Sequence, residues 1–236
     1  MLNIRRLAWE VKESQTKPLV LVHGGGSYGH PLAYRHKVKQ GLKKPNQLHG
    51  MSQTHQAMVA LNKLIVNEAL AVGLPALGFS PLSMVVTGDG RIKDLYLEPL
   101  KRALGAGFIP VLYGDTVIDS EKGFTILSGD QLACRLAEEL KASRLILGTD
   151  VDGLYSSDPR KDPSAVLLES YSVGSQGVEI GGAAAIDVTG GMKGKLAETL
   201  KLLEKGVQVT LVNAAKPGRV AKALKGEKVK GTLLTL

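Results

Sequence analysis

The chain has 236 residues, a formal net charge of +8 and 44% hydrophobic residues, enough to bury a sizeable core as one large α/β domain or as two lobes. A single cysteine, Cys134, excludes an intramolecular disulfide and any multi-cysteine metal cluster, and it makes the cytoplasm the default compartment. No apolar run approaches the roughly 18 residues that span a bilayer. The first 17 residues mix charge and apolar side chains and do not read as a signal peptide.

Residues Asn3 to Glu13 carry Ile4, Leu7, Ala8 and Val11 at helical spacing and predict an amphipathic helix. Leu19–His23 is the first clear strand, and it runs into Gly24-Gly25-Gly26-Ser27-Tyr28-Gly29-His30-Pro31. Glycines remove side chains where a backbone must approach a ligand, and successive N–H groups of such a turn converge on an anion. His30, just past the turn, adds a side-chain donor, so the expectation is a phosphate site. The letters also fit a dinucleotide fingerprint, but that fingerprint wants an acidic residue about 20 positions on. The first one here is Glu68, with Lys43 and Lys44 near the expected place. The remaining reading is a turn that only lets strand and helix pack.

From His30 to Gly50 the breakers Gly41, Pro45 and Gly50 predict a mobile or partly helical segment. A long helix is expected over Gln53–Val72, then short strands at Ala76–Phe79 and Met84–Thr87 and a turn at Gly88-Asp89-Gly90. Further on come a helix over Leu97–Ala106, a strand at Ile109–Tyr113, and a hairpin of Thr116–Ile118 with Phe124–Leu127. Ser128 with Gln131 three residues later forms a capping-box pattern at the head of a helix ending near Leu140, in which Cys134 is a packed thiol. Arg144–Thr149 is a strand ended by Asp150-Val151-Asp152-Gly153. Asp187-Val188-Thr189-Gly190-Gly191 leads into a helix over Met192–Lys205, with Lys193 and Lys195 in its first turn. Val207–Asn213 and Gly231–Leu236 are strands, Val220–Leu224 is a short helix, and the basic tract from Lys216 to Lys230 is a solvated face.

This alternation implies an α/β fold, a mostly parallel sheet with helices on both faces. Ligands gather at the carboxyl ends of such strands, where the glycine-rich turns at Gly24–Gly29, Gly114-Asp115 and Asp150–Gly153 fall. The aspartate turn fails the spacing of a calcium loop. There is no Walker A motif, no HExxH and no serine elbow. Phosphate held by the amides behind Gly190-Gly191, with a lysine to offset charge, suits phosphoryl transfer. A phosphate acceptor carries about −1.5 to −2 charge near neutral pH and attacks without a general base. With 4% aromatic residues and scattered basic ones, the positive charge suits a small phosphorylated ligand rather than nucleic acid.

Taken in order, Val22-His23-Gly24-Gly25-Gly26-Ser27-Tyr28-Gly29-His30-Pro31, Ser128-Gly129-Asp130, Thr149-Asp150-Val151-Asp152-Gly153 and the Asp187 to Lys195 stretch resemble the isopentenyl phosphate kinases, a branch of the amino acid kinase superfamily. The resemblance implies a three-layer αβα sandwich and transfer of the γ-phosphate of ATP, with Mg²⁺, to isopentenyl phosphate. It implies a homodimer acting on a small molecule, with neither nucleic acid nor membrane as partner. Residues 1–140 would form the substrate-side lobe and 141–236 the nucleotide-side lobe. By motif, His30 and the amides of Gly25 and Gly129 would hold the acceptor phosphate. Gly26, Asp150, Gly191 and Lys195 would serve ATP, with His30 and Lys195 acting in catalysis. His49 and His55 are expected to matter much less than His30. A fosfomycin kinase-like enzyme and a non-catalytic phosphate binder are the alternatives. The family's opening strand and Lys-x-Gly-Gly-Ser turn do not stand before Leu19. The expectation is therefore that Met1 is not the natural start, or that the chain lacks that lysine and is weakly active.

Overall fold

The computed structural model describes residues 2–172 and 190–236. It divides into two compact units, one of Met1–Lys12 and Lys17–Ala133, the other of Glu13–Thr16 and Cys134–Leu236.

The first unit opens with α1 (Leu2–Ser14), which buries Ala8 and Val11 as its periodicity demands. β1 (Leu21–His23) is followed at once by α2 (Gly26–Arg35). His30 and Pro31 thus lie inside a helix rather than beyond a turn. A 3₁₀ turn at Val38–Gln40 leads to α3 (Asn46–Ala71), which starts seven residues earlier than the sequence pattern predicts. The reason is local. Pro45 suits a helix start because its missing N–H would have had no partner there. Gln47, buried, accepts the N–H groups of Lys43 and Lys44 at 2.8 Å each, so the expected irregular stretch is clipped to the first helical turn.

Next come β2 (Ala76–Gly78), β3 (Val85–Gly88), β4 (Arg91–Leu95), α4 (Glu98–Gly105) and β5 (Ile109–Tyr113). β5 lies between β1 and β2 with both pairings parallel, His23 standing opposite Tyr113. All five of its residues are buried, which is why it reads as an unbroken apolar run. β6 (Asp115–Asp119) and β7 (Gly123–Leu127) form the expected hairpin, in a second sheet of order β4-β3-β6-β7. β4 escapes the sequence reading because its alternation, Arg-Ile-Lys-Asp-Leu, leaves only two half-buried apolar residues.

Asp119 holds both hairpin turns of that sheet. Its buried carboxylate accepts the Thr87 hydroxyl and the N–H groups of Gly90, Glu121 and Lys122, all within 2.9 Å. Burial opposes its ionisation, but the amides of Gly90, Lys122 and Glu121 and the Thr87 hydroxyl outweigh that and hold the carboxyl below the usual range.

α5 (Gly129–Glu139) follows β7. Ser128 Oγ accepts the Asp130 N–H at 3.2 Å, but Gln131 does not complete a capping box. Its amide turns instead to the β3–β4 hairpin, accepting from Ile92 N at 2.9 Å and donating to Gly90 O at 3.1 Å. Removing a buried side chain that satisfies two backbone groups costs about 1–3 kcal/mol. We therefore expect Gln131→Ala to lower the thermal midpoint by roughly 2–12 °C, at 2–4 °C per kcal/mol for a chain this size. Scanning calorimetry checks this, and an unchanged midpoint would show the tie to be idle.

The second unit contains β8 (Arg144–Thr149), the short strands β9 (Leu154–Tyr155), β10 (Leu167–Leu168) and β11 (Ser170–Ser172), α6 (Gly190–Glu204), β12 (Gln208–Asn213), α7 (Arg219–Lys225) and β13 (Gly231–Thr235). Its main sheet has the order β11-β13-β12-β8, with β12 parallel to β8 and antiparallel to β13. Leu147, Leu202, Val209, Leu211 and Leu234 pack into one core, together with Cys134, the expected packed thiol. Parallel pairing in both units makes the chain an α/β protein, with antiparallel partners added by hairpins in the first unit and by β13 in the second. Asp187, Val188 and Thr189 lie outside the described residues.

Candidate functional site

The first unit gathers its chemistry at the carboxyl ends of β1 and β5. The Gly114 N–H donates to the His23 carbonyl at 2.9 Å, closing the gap between the two strand ends. A Cβ on Gly114 would stand 2.9 Å from Gly129 N, and a Cβ on Gly129 would stand 3.2 Å from His23 O. Gly114 is therefore closed to side chains and Gly129 is tight, and the head of α5 sits directly against the end of β1.

The three consecutive glycines differ from one another. Gly25 caps α2, and its carbonyl accepts the N–H groups of Tyr28 and Gly29 at 3.0 and 3.1 Å. A Cβ on it would meet Met58 Sδ at 3.1 Å and the His30 ring at 3.4 Å. Gly29, one turn on, is tighter still, 2.7 Å from Met58 Sδ. Gly26 has open space around it but a φ of +46°, which suits glycine. Gly24 has neither a neighbour within 4 Å nor a positive φ.

The N–H groups of Gly26 and Ser27 come before the first intrahelical acceptor and lie at the positive end of α2. His30 is exposed, with its ring against Gly25. Gly25, Gly26, His30 and Gly129 therefore meet at one end of one sheet, and the arrangement can take an anion on backbone amides and one imidazole.

α3 forms the wall behind this turn. Met51, Thr54, His55, Met58 and Asn62 fall on one helical stripe. Asn62 Oδ1 lies 3.2 Å from His23 Nε2, and the His23 ring stacks on Tyr113 with centroids 5.5 Å apart. Burial pushes His23 below the ordinary histidine value, against its contacts with Gly24 and Asn62. His55 Nδ1 donates to both oxygens of Asp115, at 2.9 and 3.1 Å. Burial raises the Asp115 carboxyl to about 6, although His55 and the Thr116 N–H favour its charged form. The sequence reading passed over this pair: the partners are 60 positions apart, and the only signal was Asp115 following a glycine at a strand end.

Asp150, Gly191 and Lys195 belong to the second unit. Asp150 is exposed and pairs with Arg160 at 2.5 Å. Its neighbour Asp152 is the structural member of the turn: Arg219, Lys230 and Asn213 all reach it, at 2.6, 2.9 and 3.0 Å. Burial opposes ionisation of Asp152, and these three partners override it, holding the carboxyl below the usual range. α6 begins at Gly190, so Gly191 lies within the helix and Lys195 in its second turn, half-buried, where the sequence predicted a later start and a first-turn lysine. Two glycines at a helix head weaken the sequence signal for its first turn.

The profile of the amino acid kinase family matches residues 2–213. An isopentenyl phosphate kinase of Methanothermobacter thermautotrophicus is 38% identical over 99% of this chain and 90% of its own length. One of Arabidopsis thaliana is 37% identical over 86% and 67%. An X-ray structure of an isopentenyl phosphate kinase superposes with a TM-score of 0.87 at 36% identity, covering 99% of this chain and 90% of that one. A UMP kinase from Ureaplasma parvum, at 18% identity and a TM-score of 0.62, shares the fold. The chain belongs to the amino acid kinase family, in its isopentenyl phosphate kinase branch.

Proposed function

We propose that this chain transfers the γ-phosphate of ATP to isopentenyl phosphate, giving isopentenyl diphosphate and ADP. The observation that carries the reading is the cradle of Gly25, the Gly26 and Ser27 amides and His30, in a chain 38% identical to an isopentenyl phosphate kinase over nearly its whole length. In this reading residues 1–140 are the acceptor side and 141–236 the nucleotide side. The α2 amides, the Gly129 amide and His30 bind and orient the acceptor phosphate. One of its oxygens attacks the γ-phosphorus, and the bond from that phosphorus to the β-bridging oxygen breaks. The acceptor is already anionic, so no residue need remove a proton, and the protein's task is alignment and charge compensation.

Asp150, Gly191 and Lys195 serve ATP, whereas Gly26, which the resemblance alone assigns to ATP, is read here with the other α2 amides on the acceptor side. Mg²⁺ fits as an ion carried on the nucleotide's phosphates, because no group of three acidic, histidine or cysteine residues able to hold a metal occurs among the described residues. Bound there, it offsets charge on the phosphates. A homodimer and a cytoplasmic setting complete the proposal. Among the described residues no helix is long and apolar enough to cross a membrane.

A panel of isopentenyl, dimethylallyl and geranyl phosphates and fosfomycin, each with ATP and Mg²⁺, tests the function. Preferred turnover of isopentenyl phosphate is expected, and turnover of fosfomycin alone would replace the reading. Lys195→Ala tests the division of labour. Loss of one charge-assisted contact should raise the KM for ATP about tenfold, with isopentenyl phosphate binding unchanged by calorimetry. The reverse pattern would exchange the two sides.

A further inference from the structure

One buried carboxylate in the first unit has no part in that mechanism. Asp115 opens β6 directly after Gly114, the residue whose N–H is pinned to the end of β1, and its side chain is fully shielded from solvent. Among the described residues its side-chain partner is His55, and one carboxylate oxygen also accepts the Thr116 N–H. His55 lies on α3 one turn before Met58 and two turns before Asn62. Met58 supports Gly25 and Gly29 from below, and Asn62 holds His23. The His55–Asp115 bond is therefore where the wall of the anion turn is fastened to the strand that continues from β5.

A buried polar pair is no better than an apolar contact at holding a helix down. A hydrogen bond to a fixed carboxylate adds direction: it sets the rotation and axial position of the turn that carries it. Here that turn leads straight to Met58.

We propose that His55, through Asp115, is a positioning residue for the phosphate acceptor, fixing the turn of α3 that carries Met58 beneath Gly25 and Gly29. This rests on the reading of the first unit as the acceptor side. It assigns a role to a histidine that the sequence ranked far below His30.

The test measures both KM values and the calorimetric Kd for isopentenyl phosphate on the full chain. His55→Ala should raise the acceptor KM about tenfold, with the KM for ATP within twofold of the starting protein. His55→Asn, whose side-chain amide can stand in for Nδ1, should return the acceptor KM to within threefold. Should His55→Ala fail to fold, Asp115→Leu keeps the packing without the hydrogen bond and should show the same tenfold rise. A merely structural pair would lower the thermal midpoint and leave both KM values alone. An unchanged acceptor KM in a folded variant, or equal movement of the two KM values, overturns the proposal. If the starting protein binds isopentenyl phosphate without phosphorylating it, the kinase reading alone falls and the pair is judged on Kd by the same criterion. If it binds none, both fall.

Discussion

His30→Ala should lower kcat for isopentenyl phosphate by about 10²-fold or more, the scale for losing one donor to charge developing in a transition state. His30 is exposed and stands over Gly25 near the free amides of α2, so its removal takes a donor from the anion site without opening the core. The thermal midpoint should accordingly hardly move. The check is turnover and scanning calorimetry on the same preparation. Near-normal turnover in the folded variant would take His30 out of the site. A large fall in midpoint would mark its role as structural.

The second large effect is on stability against pH. The Asp115 carboxyl, raised by burial to about 6, starts from 3.8 in an unperturbed chain. Between those values the folded chain keeps a proton that the unfolded chain has released. The Asp115 contribution to stability is thus most favourable below pH 4, falls as the pH rises through 6, and is fully lost above that. A little over two pH units at 1.36 kcal/mol each amounts to about 3 kcal/mol. Asp115→Asn removes this titration while keeping the shape. Its unfolding free energy relative to the starting protein should therefore improve by about 2.5 kcal/mol from pH 4 to pH 8, with half of the change complete near pH 5, midway between the two values. Denaturant titrations at a series of pH values measure it. A difference that does not vary with pH would mean that Asp115 is ionised throughout.

Much of this architecture was legible because it rests on local rules. β5 is an apolar run because both its neighbours are strands, and α1 shows its buried face through Ala8 and Val11. The glycine-rich turn was legible as a place of close backbone approach, and Gly25 and Gly29 do stand against Met58. What stayed hidden depends on partners distant in sequence. Gln131 looked like half of a capping box, yet its amide is claimed by backbone groups 41 and 39 positions earlier. The early start of α3 turns on Gln47 reaching back to Lys43 and Lys44. His55 gave no sign of its worth because a histidine on a helix stripe is ordinary until a buried carboxylate faces it.

The unequal surroundings of the glycines also say how this pocket can be re-engineered. Gly114 is walled in by the backbone of Gly129, Gly129 stands close to the His23 carbonyl, and side chains at Gly25 or Gly29 would have to displace the end of Met58. Gly26 has room but a backbone angle that few side chains tolerate. Gly24 alone of the triplet combines room with ordinary backbone, at the lip of the anion turn. If the turn holds the acceptor phosphate as proposed, Gly24 is the position at which directed evolution can add bulk or charge while the packed glycines stay in place.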